Sequence, residues 1–89
     1  MKNALAITIQ GRVQGVGFRF SAVHKAQELD IKGFIKNKHD GTVYIEAEGE
    51  PGPLNDFVNW CWQGPPAARV ENVTKQEMPV QDFTRFGVK

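Results

Sequence analysis

Hydrophobic and polar residues alternate with two different periods along the 89-residue chain, and the switches between them mark out its elements. In residues 4–10 the apolar side chains Leu5, Ile7 and Ile9 recur at every second position among β-branched neighbours, which predicts a strand. From about Phe18 the interval lengthens. Phe18, Ala22, Ala26 and Leu29 share one face of a helix, Lys25, Gln27 and Glu28 take the wet side, and Asp30 to Gly33 ends it. Period two returns in residues 33–38 and 42–48, and the His39-Asp40-Gly41 between them is a tight reversal because Asp-Gly tolerates positive φ. The two strands are expected to form an antiparallel hairpin, with Val43, Ile45 and Ala47 facing a core and Thr42, Tyr44, Glu46 and Glu48 facing water. Pro53 suits the first turn of a helix, where a missing N–H costs nothing. Leu54, Phe57, Val58, Cys61 and Trp62 then repeat at helical spacing until Gln63-Gly64-Pro65-Pro66 stops them. Residues 70–78 and 83–88 are the remaining strand candidates, separated by Pro79-Val80-Gln81-Asp82.

The order strand, helix, strand, strand, helix, strand, with a further short strand, predicts an α+β fold. It is the ferredoxin-like split βαβ arrangement, two helices packed on one face of a four- to five-stranded antiparallel sheet. Eighty-nine residues suffice for one core and not for two, so residues 1–89 are expected to form a single domain. Such a fold hosts many unrelated activities, and function has to be argued from a site.

Charge narrows the field. The 11 basic and 10 acidic residues nearly cancel to +1, leaving no global field for nucleic acid or an anionic membrane. Their distribution is uneven, with Lys2, Arg12, Arg19, Lys25, Lys32, Lys36 and Lys38 in residues 1–38 against only Glu28 and Asp30. Cys61 is the one cysteine, so no intramolecular bridge forms and a reducing compartment fits best. The first residues lack an apolar stretch of signal length, and no segment approaches a membrane span, so the cytoplasm is the expected location.

Between the first strand and the first helix lies Gly11-Arg12-Val13-Gln14-Gly15-Val16-Gly17-Phe18-Arg19. Glycines here let the backbone adopt φ > 0 and bring its N–H groups close to an anion, and Arg19 adds a rigid fork of donors at the mouth of a helix whose dipole favours the same ligand. A plain turn beside a solvated arginine is the alternative. The spacing fits neither G-x-x-x-x-G-K-[ST] nor a dinucleotide fingerprint, since Phe20 stands where the latter wants glycine. Cys61 falls on an apolar helix stripe and reads as core. His24 and His39 lack companions at metal-ligand spacing, so no metal site is expected, and Asp40, Glu46 and Glu48 read as solvated carboxylates. Asn37, at the end of the second strand, is either a local partner for turn backbone or an amide free to hold a water.

The glycine stretch, followed by Gly33-Phe34-Ile35-Lys36-Asn37, the Asp40-Gly41-x-Val43 hairpin and Gln63-Gly64-Pro65-Pro66-Ala67-Ala68-Arg69-Val70, resembles the acylphosphatase family in order and over about four fifths of the chain. Phe83-Thr84-Arg85-Phe86 departs from it, with Arg85 where the family usually carries an apolar residue, which leaves the register of the last strand open.

The resemblance implies hydrolysis of the carboxyl-phosphate bond of a small acyl phosphate, releasing inorganic phosphate, with no metal or other cofactor. By position it implies that Arg19 binds the phosphate together with the backbone N–H groups of Gln14, Gly15, Val16, Gly17, Phe18 and Arg19, while Asn37 orients the attacking water. Arg12 is then a solvated cation and Phe18 a core anchor. A monomer acting on small molecules, without nucleic acid or membrane, is expected. Two other readings compete. Lys32-Gly33-Phe34 begins like a motif of single-strand RNA binders of this fold, but Ile35 and Lys36 break the match and the strand is the second, not the third. An anion-binding accessory domain without turnover is the other, and the presence of both Arg19 and Asn37 favours the enzyme.

Overall fold

A computed structural model describes residues 1–89. The elements follow the order β1 (Asn3–Arg12), α1 (Phe18–Glu28), β2 (Lys32–Asn37), β3 (Val43–Gly49), α2 (Pro51–Gln63), β4 (Arg69–Met78) and β5 (Phe86–Val88). The strands make one sheet in the order β4-β1-β3-β2-β5. Strands β1 to β4 pair antiparallel, as the hydrophobic pattern predicts, whereas β5 lies parallel to β2, so the sheet is mixed. The reason is the path of residues 79–85. They carry the chain from β4 at one edge to the opposite edge, and a strand entering there in the reverse direction to β4 runs the same way as β2. This also settles the register near Arg85: its carbonyl accepts from Gly33 N–H at 2.9 Å, and Phe86 pairs with Gly33.

Both helices cover one sheet face. Ile7, Ile9, Ile35, Val43, Ile45 and Ala47 from the sheet meet Phe18, Ala22, Ala26, Leu54, Phe57, Val58 and Cys61 from the helices in one cluster. Phe18 is thus the core anchor expected of it. In α2, Leu54, Phe57, Val58 and Cys61 face inward as their spacing predicts, and the stripe departs from expectation only at its end: Trp60, not Trp62, is the inward tryptophan. Trp60 packs edge-on to Phe18 of α1 at 5.4 Å and stacks on Phe57 at 6.0 Å, while Trp62 is about half exposed. The flank of α2 that turns toward α1 is covered, and the opposite flank at the helix end is not.

The other sheet face is partly roofed by residues 79–85. Glu48 was expected to face water, and here the structure corrects the sequence: it is 1% exposed, and its carboxylate accepts from the backbone N–H groups of Gln81 and, at 3.0 Å, Phe83. Phe83 packs edge-on to Phe34 at 5.9 Å beside them. Two backbone N–H groups thus satisfy a carboxylate that is itself buried, and the crossing segment is pinned in return.

Close backbone approach fixes two glycines. A Cβ on Gly33 would overlap the carbonyl of Glu46 on β3, and one on Gly11 would overlap that of Arg69 on β4, where a bulge shifts the β1–β4 register between Gln10 and Gly11. The bulge lengthens β1 to Arg12, two residues beyond its alternating run, and turns the chain into the loop that follows.

Candidate active site

The loop between β1 and α1 is bent throughout, with Gly15 at φ 72° and Gly17 at φ 80° in left-handed conformations that a side chain resists. Gly17 is also the residue from which α1 starts, and no side chain caps that end. None of the backbone bonds outside the helices and strands is donated from Gln14, Gly15, Val16 or Gly17. The first three N–H groups of α1, on Phe18, Arg19 and Phe20, precede its i to i−4 ladder as well. A run of N–H groups therefore stands unbonded around one bend, at the positive end of a helix dipole.

Gln14 holds the loop in place. Its side-chain Nε2 donates to the carbonyls of Lys38 at 2.8 Å and Thr42 at 2.9 Å, both in the β2–β3 turn. The turn is itself braced, because Lys38 N–H donates to Thr42 and the Asp40 carboxylate accepts from Thr42 Oγ1 at 2.6 Å and Thr42 N–H at 3.0 Å. Those bonds hold the Asp40 carboxyl below its ordinary range. The sequence placed Gln14 in the loop for its backbone alone. Its side chain as a tether was missed, and only a polar residue between two glycines hinted at it.

Period two along β2 puts Phe34 and Lys36 on the roofed face and Ile35 and Asn37 on the helix face, below the start of α1. Asn37 Oδ1 is buried and accepts no hydrogen bond from the protein, which removes the reading of Asn37 as a local partner for turn backbone through that oxygen. Arg19 is exposed and joins none of the four ion pairs of the molecule. Both residues line one cavity of about 500 Å³, together with Gly15 and Gly17 of the loop and with Phe20, Val23 and Val88. An unpaired guanidinium, unbonded N–H groups and an orphan amide oxygen thus converge on one space.

The acylphosphatase family profile matches residues 5–88. The chain belongs to the acylphosphatase family. A relative named acylphosphatase from Nocardioides sp. is 43% identical over 89 residues, all of this chain and 90% of its own. The solved acylphosphatase of Coxiella burnetii superposes with a TM-score of 0.96 at 40% identity, covering 99% of this chain and 93% of that one. That of Bacillus subtilis gives 0.95 at 34% identity, over 100% and 99%. The protein is accordingly an enzyme with acylphosphatase function, a hydrolase acting on acyl phosphates.

Of the two histidines, His24 lines this acylphosphatase cavity and His39 does not. Cys61 is buried in the core, where burial pushes its thiol far above its ordinary pKa. No three His, Cys, Asp or Glu side chains come together in a metal-holding group, and no helix is long and apolar enough to cross a membrane.

Proposed function

We propose that the phosphate of the acyl phosphate sits in the bend of residues 14–19, held by the backbone N–H groups of Gln14 to Arg19 and by the Arg19 guanidinium, and that Asn37 orients the water that attacks phosphorus. The oxygen of that water bonds to phosphorus as the bond from phosphorus to the carboxylate oxygen breaks. The carboxylate leaves with the electron pair, and the water's protons pass to the products and solvent. The observation that supports this most is the convergence of Arg19, the loop glycines and the unbonded Asn37 Oδ1 on one cavity.

The division of labour follows from the chemistry. A loose phosphoryl transition state spreads charge over three equatorial oxygens, which asks for fixed donors and positioning rather than covalent help. N–H groups aimed by left-handed glycines are already in place, so little reorganisation accompanies the reaction. The amide oxygen of Asn37 can accept a hydrogen bond from the attacking water and so aim one of the water's lone pairs at phosphorus. A carboxylate is a good leaving group, and the scheme needs neither a protein acid nor a metal.

We further propose that the chain works as one domain over residues 1–89, as a monomer in the cytoplasm, on small molecules and without nucleic acid. The test of the site is hydrolysis of benzoyl phosphate in a chelator-containing buffer. Arg19→Ala should abolish turnover and weaken inhibition by inorganic phosphate. Asn37→Ala should lower kcat by about 100-fold or more with phosphate inhibition retained, because losing one positioned transition-state contact typically costs that much. Full activity of either variant would overturn the assignment of that residue.

A further inference from the structure

The cavity is larger than the phosphate end of the substrate requires. Its volume of about 500 Å³ is the share of on the order of fifteen waters in the liquid, whereas a phosphoryl group has only a few heavy atoms. What lines the remainder is a stripe along α1. Phe20, Val23, His24 and Gln27 stand at i, i+3, i+4 and i+7 and so share one side of the helix, beginning next to Arg19. Across from them is Val88 of β5, which pairs with Ile35 two residues before Asn37.

Two features of this wall call for an occupant. Phe20 is 71% exposed and Val88 is 54% exposed, a large apolar pair left to solvent beside the anion loop. Phe20 is also held, since its ring meets the His24 imidazole edge-on with centroids 4.6 Å apart. Among the lining residues there is no carboxylate, and Arg19 is the only Lys or Arg. A charged acyl group would find no second cation there, while an apolar one would cover surface that water now wets.

We propose that Phe20, Val23 and Val88 form an acyl subsite that selects uncharged apolar acyl groups, aryl ones above all, over acetyl and over acyl groups ending in a carboxylate. Phe20 is its principal specificity-determining residue. The proposal rests on the placement of the phosphate at residues 14–19, because only then does the acyl end extend along the α1 stripe. It assigns the substrate's two ends to different physics: the loop recognises charge, and the helix face recognises shape and apolar area.

The test compares kcat and KM for benzoyl, acetyl and succinyl phosphate in the wild type, Phe20→Ala and Phe20→Leu, with the inhibition constant of inorganic phosphate measured alongside. The wild type should favour benzoyl phosphate mainly through a lower KM, with succinyl phosphate the poorest substrate. Phe20→Ala should lower kcat/KM for benzoyl phosphate by about tenfold, as loss of a hydrophobic contact in a specificity pocket does, and for acetyl phosphate by a clearly smaller factor. Phe20→Leu should restore much of the benzoyl preference, and the phosphate inhibition constant should stay at the wild-type value in both variants. Equal losses for benzoyl and acetyl phosphate, or a wild type that treats the three alike, would overturn the subsite and leave the phosphate assignment standing. A wild type that hydrolyses none of them would overturn that assignment and the subsite with it.

Discussion

The side-chain amide of Gln14 donates to the main-chain carbonyl of Lys38 at 2.8 Å, tying the β1–α1 loop to the turn that follows the strand carrying Asn37. The same nitrogen reaches Thr42 at 2.9 Å. In the proposed scheme the phosphate ligands stand on one side of this tie and the water ligand on the other, so it fixes the distance between the two halves of the site. Gln14→Ala should reduce kcat/KM more than it alters the phosphate inhibition constant, and should cost about 1–2 kcal/mol of stability for two lost hydrogen bonds. Urea unfolding together with steady-state kinetics measures both. Gln14→Glu should be worse than Ala, since it turns a carboxylate toward two carbonyl oxygens.

Glu48 should matter for stability and little for turnover. Replacing it with Ala leaves the N–H groups of Gln81 and Phe83 without their charged acceptor, a loss of about 3 kcal/mol. The visible sign is faster amide exchange at Gln81 and Phe83, with a lower urea midpoint. Glu48→Gln keeps one acceptor oxygen and should fall between wild type and Ala.

Gly33 and Gly15 should separate fold from function in opposite senses. At Gly33 the backbone has φ 143° and a Cβ would overlap the Glu46 carbonyl, so Gly33→Ala should destabilise by on the order of 3 kcal/mol. At Gly15 a Cβ meets nothing within 4 Å, and the φ of 72° alone limits the cost to about 1–2 kcal/mol. Gly15 lines the cavity, however, and with the phosphate placed as proposed the added methyl would crowd it. Gly15→Ala should therefore remain folded by circular dichroism while losing phosphate affinity.

Tyr44 makes stability fall in alkali. Burial first, and then its 2.7 Å bond to the Glu46 carboxylate, pushes its phenol from 10.0 up to about 12. The folded state holds the proton more tightly than the unfolded chain, so the contribution is intact below pH 10 and is lost as pH rises toward 12. Between those values the unfolding free energy of the wild type should drop more steeply than that of Tyr44→Phe, as urea titrations at successive pH values would record.

Much of this was legible in the residue order. The alternating runs of β1, β2 and β3 and the helical stripe from Phe18 to Leu29 report burial against a single neighbouring layer, and such burial leaves its period in the chain. The roles proposed for Arg19 and Asn37 come from the family pattern, since spacing alone left a plain turn and a local amide open; the structure adds that both side chains line one cavity. What escaped depends on contacts between elements distant in sequence. Trp60 turns inward because Phe18 of another helix covers that flank, and Glu48 is buried because residues 79–85 cross over it. Whether β5 runs parallel or antiparallel depends on which edge that crossing segment reaches, and three residues of strand carry no signal of it. The side chain of Gln14 is the same kind of case: its acceptors are main-chain carbonyls, which have no residue type to read.

The orphan oxygen of Asn37 has a consequence for how this enzyme can change. Side chains that hold a structure are themselves held, and Asn37 Oδ1 has no donor in the protein to hold it. A library screened only for soluble, folded protein should therefore accept replacements at position 37 freely, while one screened for hydrolysis should accept almost none. Position 33 should behave differently, refusing change in both screens for reasons of space alone. With Asn37 in its proposed role, foldedness and catalysis depend on different residues of the same short strand, and selection for folding alone leaves position 37 free to drift.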